Sequence, residues 1–220
     1  MSNLLTKDQA SQILMETAAG FYTQNWMLGT SGNLSIRVAR QGIFLITASS
    51  VDKGQLTPDD FVLMGENNTL LSQTPHKPSA ETCLHSALYK AFPEIQAVYH
   101  IHTPTATALS MTLKPGEVGI EFSGLEMIKG LGFETHDITI TVPVIENTQD
   151  IAALSEVLID CINPDIPGFL LKGHGLYAWG KTPFEAKRHV EIFEFLFQVK
   201  LQQTMLQAAA HKSLPSPLVS

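Results

Sequence analysis

Two periods of apolar residues alternate along this chain. Ile13, Leu14, Ala18 and Phe21 recur at helical spacing behind Thr6-Lys7-Asp8-Gln9, which matches a capping box. The helix they predict ends before the turn-rich run Gly29-Thr30-Ser31-Gly32-Asn33. The period then shortens. Leu34-Ser35-Ile36-Arg37-Val38 alternates as a strand, Ile43-Phe44-Leu45-Ile46-Thr47 reads as a buried strand, and Gln41-Gly42 turns between them. Phe61–Met64 and Thr69–Leu71 flank Gly65-Glu66-Asn67-Asn68 as a hairpin. From Ser79 the period is helical again, with Leu84, Ala87, Leu88 and Ala91 on one face.

Ala97-Val98-Tyr99-His100-Ile101-His102 is a strand, and Thr103-Pro104 supplies an N-cap and first helical residue. A short helix carries Leu125–Ile128, and Thr139–Val142 is a strand closed by Pro143. Ile151 to Ile162 forms an amphipathic helix. Gly168–Leu171 and Leu176–Trp179 are strands around Gly173-His174-Gly175. Thr182-Pro183-Phe184-Glu185 is a second capping box, opening a long helix with Phe193, Leu196, Phe197 and Leu201 inward. The tail from Lys212 is rich in Pro and Ser and reads as loose. With neither an internal repeat nor a linker, the pattern predicts one α/β domain over residues 1–211, a mixed sheet covered by helices, and a tail over 212–220.

Composition narrows the partners. The 220 residues are 44% hydrophobic and 16% charged, which is a globular balance with length enough for a proper core. A net charge of -7 argues against nucleic acid or an anionic membrane, yet leaves room for a small phosphorylated ligand held by a local nest of N–H groups. The two cysteines, Cys83 and Cys161, form no C-x-x-C, the N-terminal residues are polar, and no apolar run is long enough for a bilayer. A reducing, cytoplasmic setting is expected.

The chemistry concentrates in His100-x-His102. On a strand both imidazoles share a face, and two side by side are half of a transition-metal site. Two polar side chains on a half-exposed strand would show the same spacing. The position at the C-terminal end of an apolar strand, just before a helix, favours a ligand site. His174, between two glycines, offers a third corner, and three histidines leave a metal one open position, as catalytic sites do. His76, His85, His136, His189 and His211 lack such partners and are read as surface or helix-face residues. Glu81 reads as a first-turn helix carboxylate that favours the helix dipole, next to an anion site at Ser79. Glu126 stands among Leu125, Met127 and Ile128, a setting that would raise its pKa toward a value useful for proton transfer. Three small-residue loops, Thr30–Asn33, Thr47–Ser50 and Pro78–Ala80, offer hydroxyls and N–H groups to a phosphate, and no nucleotide-binding glycine motif is present.

Over nearly its whole length the chain resembles the class II aldolase/adducin family. Gly29–Arg37 is similar to that family's first phosphate loop, Ile46–Ser50 to its second, and Lys77–Glu81 to the segment joining a third phosphate contact to an acid/base Glu; His100-x-His102 and His174-Gly175-Leu176 are similar to its metal ligands. The resemblance implies an α/β/α fold with a mainly antiparallel sheet, and a homotetramer with active sites near subunit interfaces. It implies one zinc, or another divalent metal, per chain on His100, His102 and His174. It also implies phosphate contacts from Gly32, Asn33, Ser49, Ser50 and Ser79 to a phosphorylated ketose. Glu126-Met127-Ile128-Lys129-Gly130 and Asp52-Lys53-Gly54-Gln55-Leu56 are similar to a dehydratase branch of the family, in which the residue matching Glu126 is the acid/base. The expected activity is therefore dehydration of a ketose 1-phosphate. The alternatives are aldol cleavage to dihydroxyacetone phosphate, with Glu81 as acid/base, and a non-catalytic adducin-head-like module.

Overall fold

The computed structural model describes residues 4–39, 42–65 and 67–212 of the chain. Helix α1 (Lys7–Thr23) starts where its caps are: Thr6 Oγ1 accepts from the Gln9 N–H at 3.2 Å, and the Gln9 side chain accepts from the Thr6 N–H at 2.9 Å. Two of the N–H groups that a helix start leaves bare are thereby satisfied. Leu14, Ala18 and Phe21 are buried and Ile13 is half-buried.

Strands β1 (Asn33–Ala39), β2 (Ile43–Thr47), β3 (Phe61–Met64), β4 (Ala97–Ile101), β5 (Gly119–Ser123), β6 (Thr139–Ile145), β7 (Gly168–Leu171) and β8 (Gly175–Gly180) form one sheet in the order β3-β2-β1-β4-β8-β7-β6-β5. Every neighbouring pair is antiparallel except β6–β7. Helices α1, α3 (Pro104–Ser110) and α5 (Pro183–Lys212) cover one face, where Leu14, Phe21, Ala106, Phe193 and Phe197 pack on Leu34, Tyr99 and Ala178. Helices α2 (Thr82–Ala91) and α4 (Ile151–Cys161) cover the other, with Leu84, Leu88, Leu154 and Leu158 against Phe44, Val98 and Tyr177. A sheet buried on both faces explains why its central strands read as continuous apolar runs. The expected α/β/α layering and mixed, mainly antiparallel sheet are present. Among the described residues no helix is long and apolar enough to cross a membrane.

Several elements depart from the sequence reading. β5 was not expected, although Ile120 and Phe122 point inward and Glu121 and Ser123 outward. β6 runs through Pro143 instead of stopping there. Pro143 sits where β6 changes partner, opposite Gly119 of β5, while Val144 pairs with Leu170 of β7, so the missing N–H costs little. Thr69–Leu71 makes a single bridge, Met64 to Leu70, rather than a strand, because its leucines find no layer to bury them. The hairpin's Glu66 and the Gln41 of the first turn lie outside the described residues, as do the His211 side chain and residues 213–220; Lys212 is the last residue of α5. α2 starts at Thr82, not Ser79, which puts Glu81 at the N-cap with no capping bond of its own. Of the histidines expected on the surface or a helix face, His85 and His189 lie on buried helix faces: both ring nitrogens of His85 are bonded, to Asn33 and Ser35, and Nδ1 of His189 is bonded to the Trp179 carbonyl at 2.7 Å.

Candidate metal centre and its cleft

Three backbone segments converge where the central strands end, on one of the two edges that strand ends form. His100 is on β4, His102 lies one residue beyond its end, and His174 is in the β7–β8 turn. β4 and β8 are hydrogen-bonded neighbours, with Ile101 opposite Leu176. Gly175 makes the approach possible, since a Cβ there would collide with the Ile101 carbonyl and stand 3.0 Å from ring carbons of both His100 and His102. The three rings lie 4.5 to 5.0 Å apart, centroid to centroid.

Glu81 completes the cluster. Its Oε1 is 3.0 Å from His174 Nε2 and its Oε2 is 3.6 Å from His100 Nε2, and one donor atom from each of the four residues lies within 4.8 Å of all the others. His102 Nε2 and His100 Nε2 are 2.9 Å apart. Two ligands on a tetrahedral zinc stand roughly 3.4 Å from each other, so the spacing suits one small cation. His100 donates its Nδ1–H to the Leu176 carbonyl at 3.0 Å, which leaves the Nε2 lone pair facing the cluster. Burial keeps His100 and His102 neutral, pushing His102 down to about 4 and His100 well below the usual imidazole range. Burial works against ionising Glu81, but the hydrogen bonds with His174 and the Asn33 amide outweigh it and hold the carboxyl below the carboxylate range. One anion and three imidazole nitrogens are the donor set of a divalent transition metal.

Beside the cluster a cleft of about 380 Å³ is lined by all three small-residue loops, with Gly32, Asn33, Ser49, Ser50 and Ser79 together as expected. Residues that the sequence reading gave no role join them. Asn147, Thr148 and Gln149, between β6 and α4, close one wall; a polar run before a helix was the only signal. Lys53 is 1% exposed, and its ammonium donates to the carbonyls of Thr30 and Val51, each at 3.1 Å. No carboxylate among the described residues lies within ion-pair distance of it, and burial lowers its pKa to about 8. A lysine inside a small-residue loop, next to Gly54, was the signal for it.

Behind His102, Thr103 caps α3 by accepting from the Ala106 N–H at 3.1 Å and donates to Glu194 of α5 at 2.7 Å. Glu194 is buried, which pushes its carboxyl up to about 7 against the Thr103 hydrogen bond.

Glu126 is not in this cleft. β6 runs parallel to β7, so its C-terminal end lies at the edge with His174, and β5 runs antiparallel to β6. The C-terminal end of β5, three residues before Glu126, is therefore at the opposite edge. There Glu126 opens a 3-10 turn (Glu126–Leu131), with its side chain 68% exposed and bound to Lys129 at 2.9 Å and His136 at 2.8 Å. The raised pKa expected from its apolar neighbours is absent: Ile128 turns inward, Met127 and Glu126 turn out, and the Lys129 hydrogen bond lowers the carboxyl instead.

The family described as Class II Aldolase and Adducin N-terminal domain matches residues 12–201. The chain belongs to this family. Its curated relatives include proteins named methylthioribulose-1-phosphate dehydratase. The one from Persephonella marina is 41% identical over 87% of this chain and 89% of its own length, and the one from Pectobacterium carotovorum is 41% identical over 94% and 100%. That from Yersinia enterocolitica is 42% identical over 84% and 88%. Among solved structures, the L-fuculose-1-phosphate aldolase of Thermus thermophilus superposes with a TM-score of 0.71 over 92% of this chain and 99% of that one, at 23% identity, a likeness of fold. The class II aldolase fold thus carries a donor cluster and a cleft lined by small-residue loops side by side.

Proposed function

We propose that the chain is a metal-dependent dehydratase, converting 5-methylthioribulose 1-phosphate to 2,3-diketo-5-methylthiopentyl 1-phosphate and water in methionine salvage. The observation that carries this reading is a three-histidine cluster, with His102 and His174 lining the cleft that the three small-residue loops also line, in a chain about 40% identical to dehydratases of that name over nearly its full length.

His100, His102 and His174 would hold one zinc per chain, with Glu81 available as a fourth donor. When bound, the metal supplies Lewis acidity toward the C2 carbonyl and makes the neighbouring C3 proton acidic. The chain's own residues do the rest. N–H groups and hydroxyls at Gly32, Asn33, Ser49, Ser50 and Ser79 hold the phosphate, and the Lys53 ammonium supplies the positive charge that the acidic protein otherwise lacks there. A carboxylate takes the C3 proton and returns it to the C4 hydroxyl as that group leaves as water; the resulting enol becomes the diketone. We assign this role to Glu126. Since its own cleft is at the far edge of the sheet, Glu126 acts in the cleft of a neighbouring copy, in the homotetramer that the family resemblance implies. The two cysteines, both unpaired, suit a cytoplasmic enzyme.

A second reading has one observation in its favour: Glu81, the in-chain carboxylate, already sits in the donor cluster, as an aldolase acid/base would. The deciding experiment supplies purified protein with the synthetic methylthioribulose phosphate, with and without chelator. Chelator-sensitive appearance of diketone absorbance is expected. Release of dihydroxyacetone phosphate without diketone would establish the aldolase instead, and protein that binds no zinc under metal-replete conditions would point to a non-catalytic module.

A further inference from the structure

A single file of buried polar groups runs from Glu81 into the interior between the sheet and α2. Asn33 Nδ2 is 2.6 Å from Glu81 Oε2, Asn33 Oδ1 is hydrogen-bonded to His85 Nε2, His85 Nδ1 is 2.7 Å from Ser35 Oγ, and Ser35 Oγ is 2.9 Å from the Tyr89 hydroxyl. His85 and Ser35 are fully buried, and burial takes His85 down to about 3, so its ring is neutral and carries one proton.

The direction of every bond follows from what each atom can do. Asn33 presents its NH₂ to Glu81 Oε2 at 2.6 Å and to Ser79 Oγ at 3.4 Å, which turns its Oδ1 inward. Asn33 Oδ1, which only accepts, then faces His85 Nε2. The single ring proton of His85 therefore sits on Nε2, and Nδ1 is an acceptor. Ser35 must give its hydroxyl proton to Nδ1, and Tyr89, whose hydroxyl burial keeps protonated, donates to Ser35. Each donor in the file points toward Glu81, and such chains polarise in one sense.

We propose that His85 is a positioning residue: it holds the Asn33 amide with its NH₂ toward Glu81, at the end of the one-way chain Tyr89, Ser35, His85, Asn33, Glu81. It touches neither metal nor substrate. It fixes the orientation of Asn33, and through Asn33 it fixes the rotamer of Glu81 in the cluster. This rests on the reading of the four donors as a metal centre only for its effect on metal affinity; the chain itself stands without metal.

The test has two arms. In metal-free protein with ¹⁵N-labelled histidine at pH 7, long-range ¹H–¹⁵N correlations, assigned by their loss in His85→Gln, are expected to show the neutral Nε2–H tautomer for His85. An Nδ1–H tautomer or a cation overturns the proposal. In the second arm, zinc affinity is read by competition with a chromophoric chelator. His85→Phe is expected to lose about tenfold, as loss of an outer-shell partner does, and His85→Gln, whose amide still donates to Asn33, to recover most of it. Equal affinity in all three proteins, or equal loss in both variants, overturns the proposal. Should His85→Phe fail to fold, Ser35→Ala removes the donor to Nδ1 with little change of volume; it is expected to mix the two tautomers and weaken zinc, and no change in either is the contrary result. Wild-type protein that binds no zinc yet shows the Nε2–H tautomer would defeat the metal reading and leave the chain established.

Discussion

His100 donates its Nδ1–H to the carbonyl of Leu176, 3.0 Å away, and that one bond decides which ring nitrogen faces the donor cluster. Because the strand ladder holds Leu176, the His100 lone pair is aimed before any metal arrives. Replacing His100 or His174 by Ala is expected to lose metal and turnover together, with zinc falling from one per chain toward none and kcat/KM dropping more than about 100-fold. Elemental analysis beside the diketone assay checks it; a variant that keeps a full complement of zinc would exclude that residue as a ligand.

Glu126 and His174 at opposite edges of one sheet give a test by mixing. Glu126→Gln alone should keep its zinc and lose turnover, and so should differ from His174→Ala, which loses both. If each cleft takes its carboxylate from another copy, equal amounts of the two inactive variants, allowed to exchange subunits, assemble some clefts with a sound half from each. Random pairing restores about a quarter of wild-type activity. Exchange demonstrated by mass spectrometry with no recovery would remove Glu126 from the reaction, and near-normal activity in Glu126→Gln would transfer its role to Glu81.

Lys53 brings a buried positive charge to the phosphate loops. Lys53→Met is expected to raise KM for the phosphorylated substrate by about tenfold or more, the worth of one charge-assisted contact. The wild type should show the same loss with pH. With its pKa lowered to about 8, the ammonium is charged below that value and neutral above it, so KM rises as pH passes upward through 8. Asp52, Asp60 and Glu81 oppose this shift through their charges without cancelling it. A KM flat from pH 7 to 9.5 would contradict the assignment.

Glu194 predicts the pH dependence of stability. Its carboxyl titrates near 7 in the folded protein against 4.5 in the reference state. Between those values the unfolded chain releases a proton that the folded chain keeps, so stability falls as pH rises through that window and levels off above 7. At ~1.4 kcal/mol per unit the loss approaches about 3 kcal/mol. Urea midpoints of Glu194→Gln should lack this decline between pH 5 and 7, and a decline identical to wild type would place its origin elsewhere.

Much of this was legible in the chain because it rests on local rules. The Thr6–Gln9 box, the Thr103-Pro104 start of α3 and the two-residue spacing of His100 and His102 are local patterns, and each is found where its pattern puts it. What was not legible depends on the order of strands. Nothing local tells that β5 joins the sheet beyond β6 and turns Glu126 away from the histidines, since that follows only from the parallel pairing of Val144 with Leu170. Lys53 and His85 escaped for a related reason. A lysine and a histidine are polar wherever they stand, and only the loops and helix packed around them make them interior.

Gly175 lets β4 and β8 meet with no side chain between the histidines at their ends. The ladder fixes His100, while α3 holds the turn that carries His174, through Thr107 Oγ1 donating to the His174 carbonyl at 3.0 Å and the Gly173 N–H donating to Ser110 Oγ at 2.8 Å. Loosening α3 should therefore spread the imidazoles as breaking the ladder does, since either frees one of the segments that carry them. On heating, a bound metal should then be released as soon as α3 or the sheet gives way, at or below the midpoint of global unfolding.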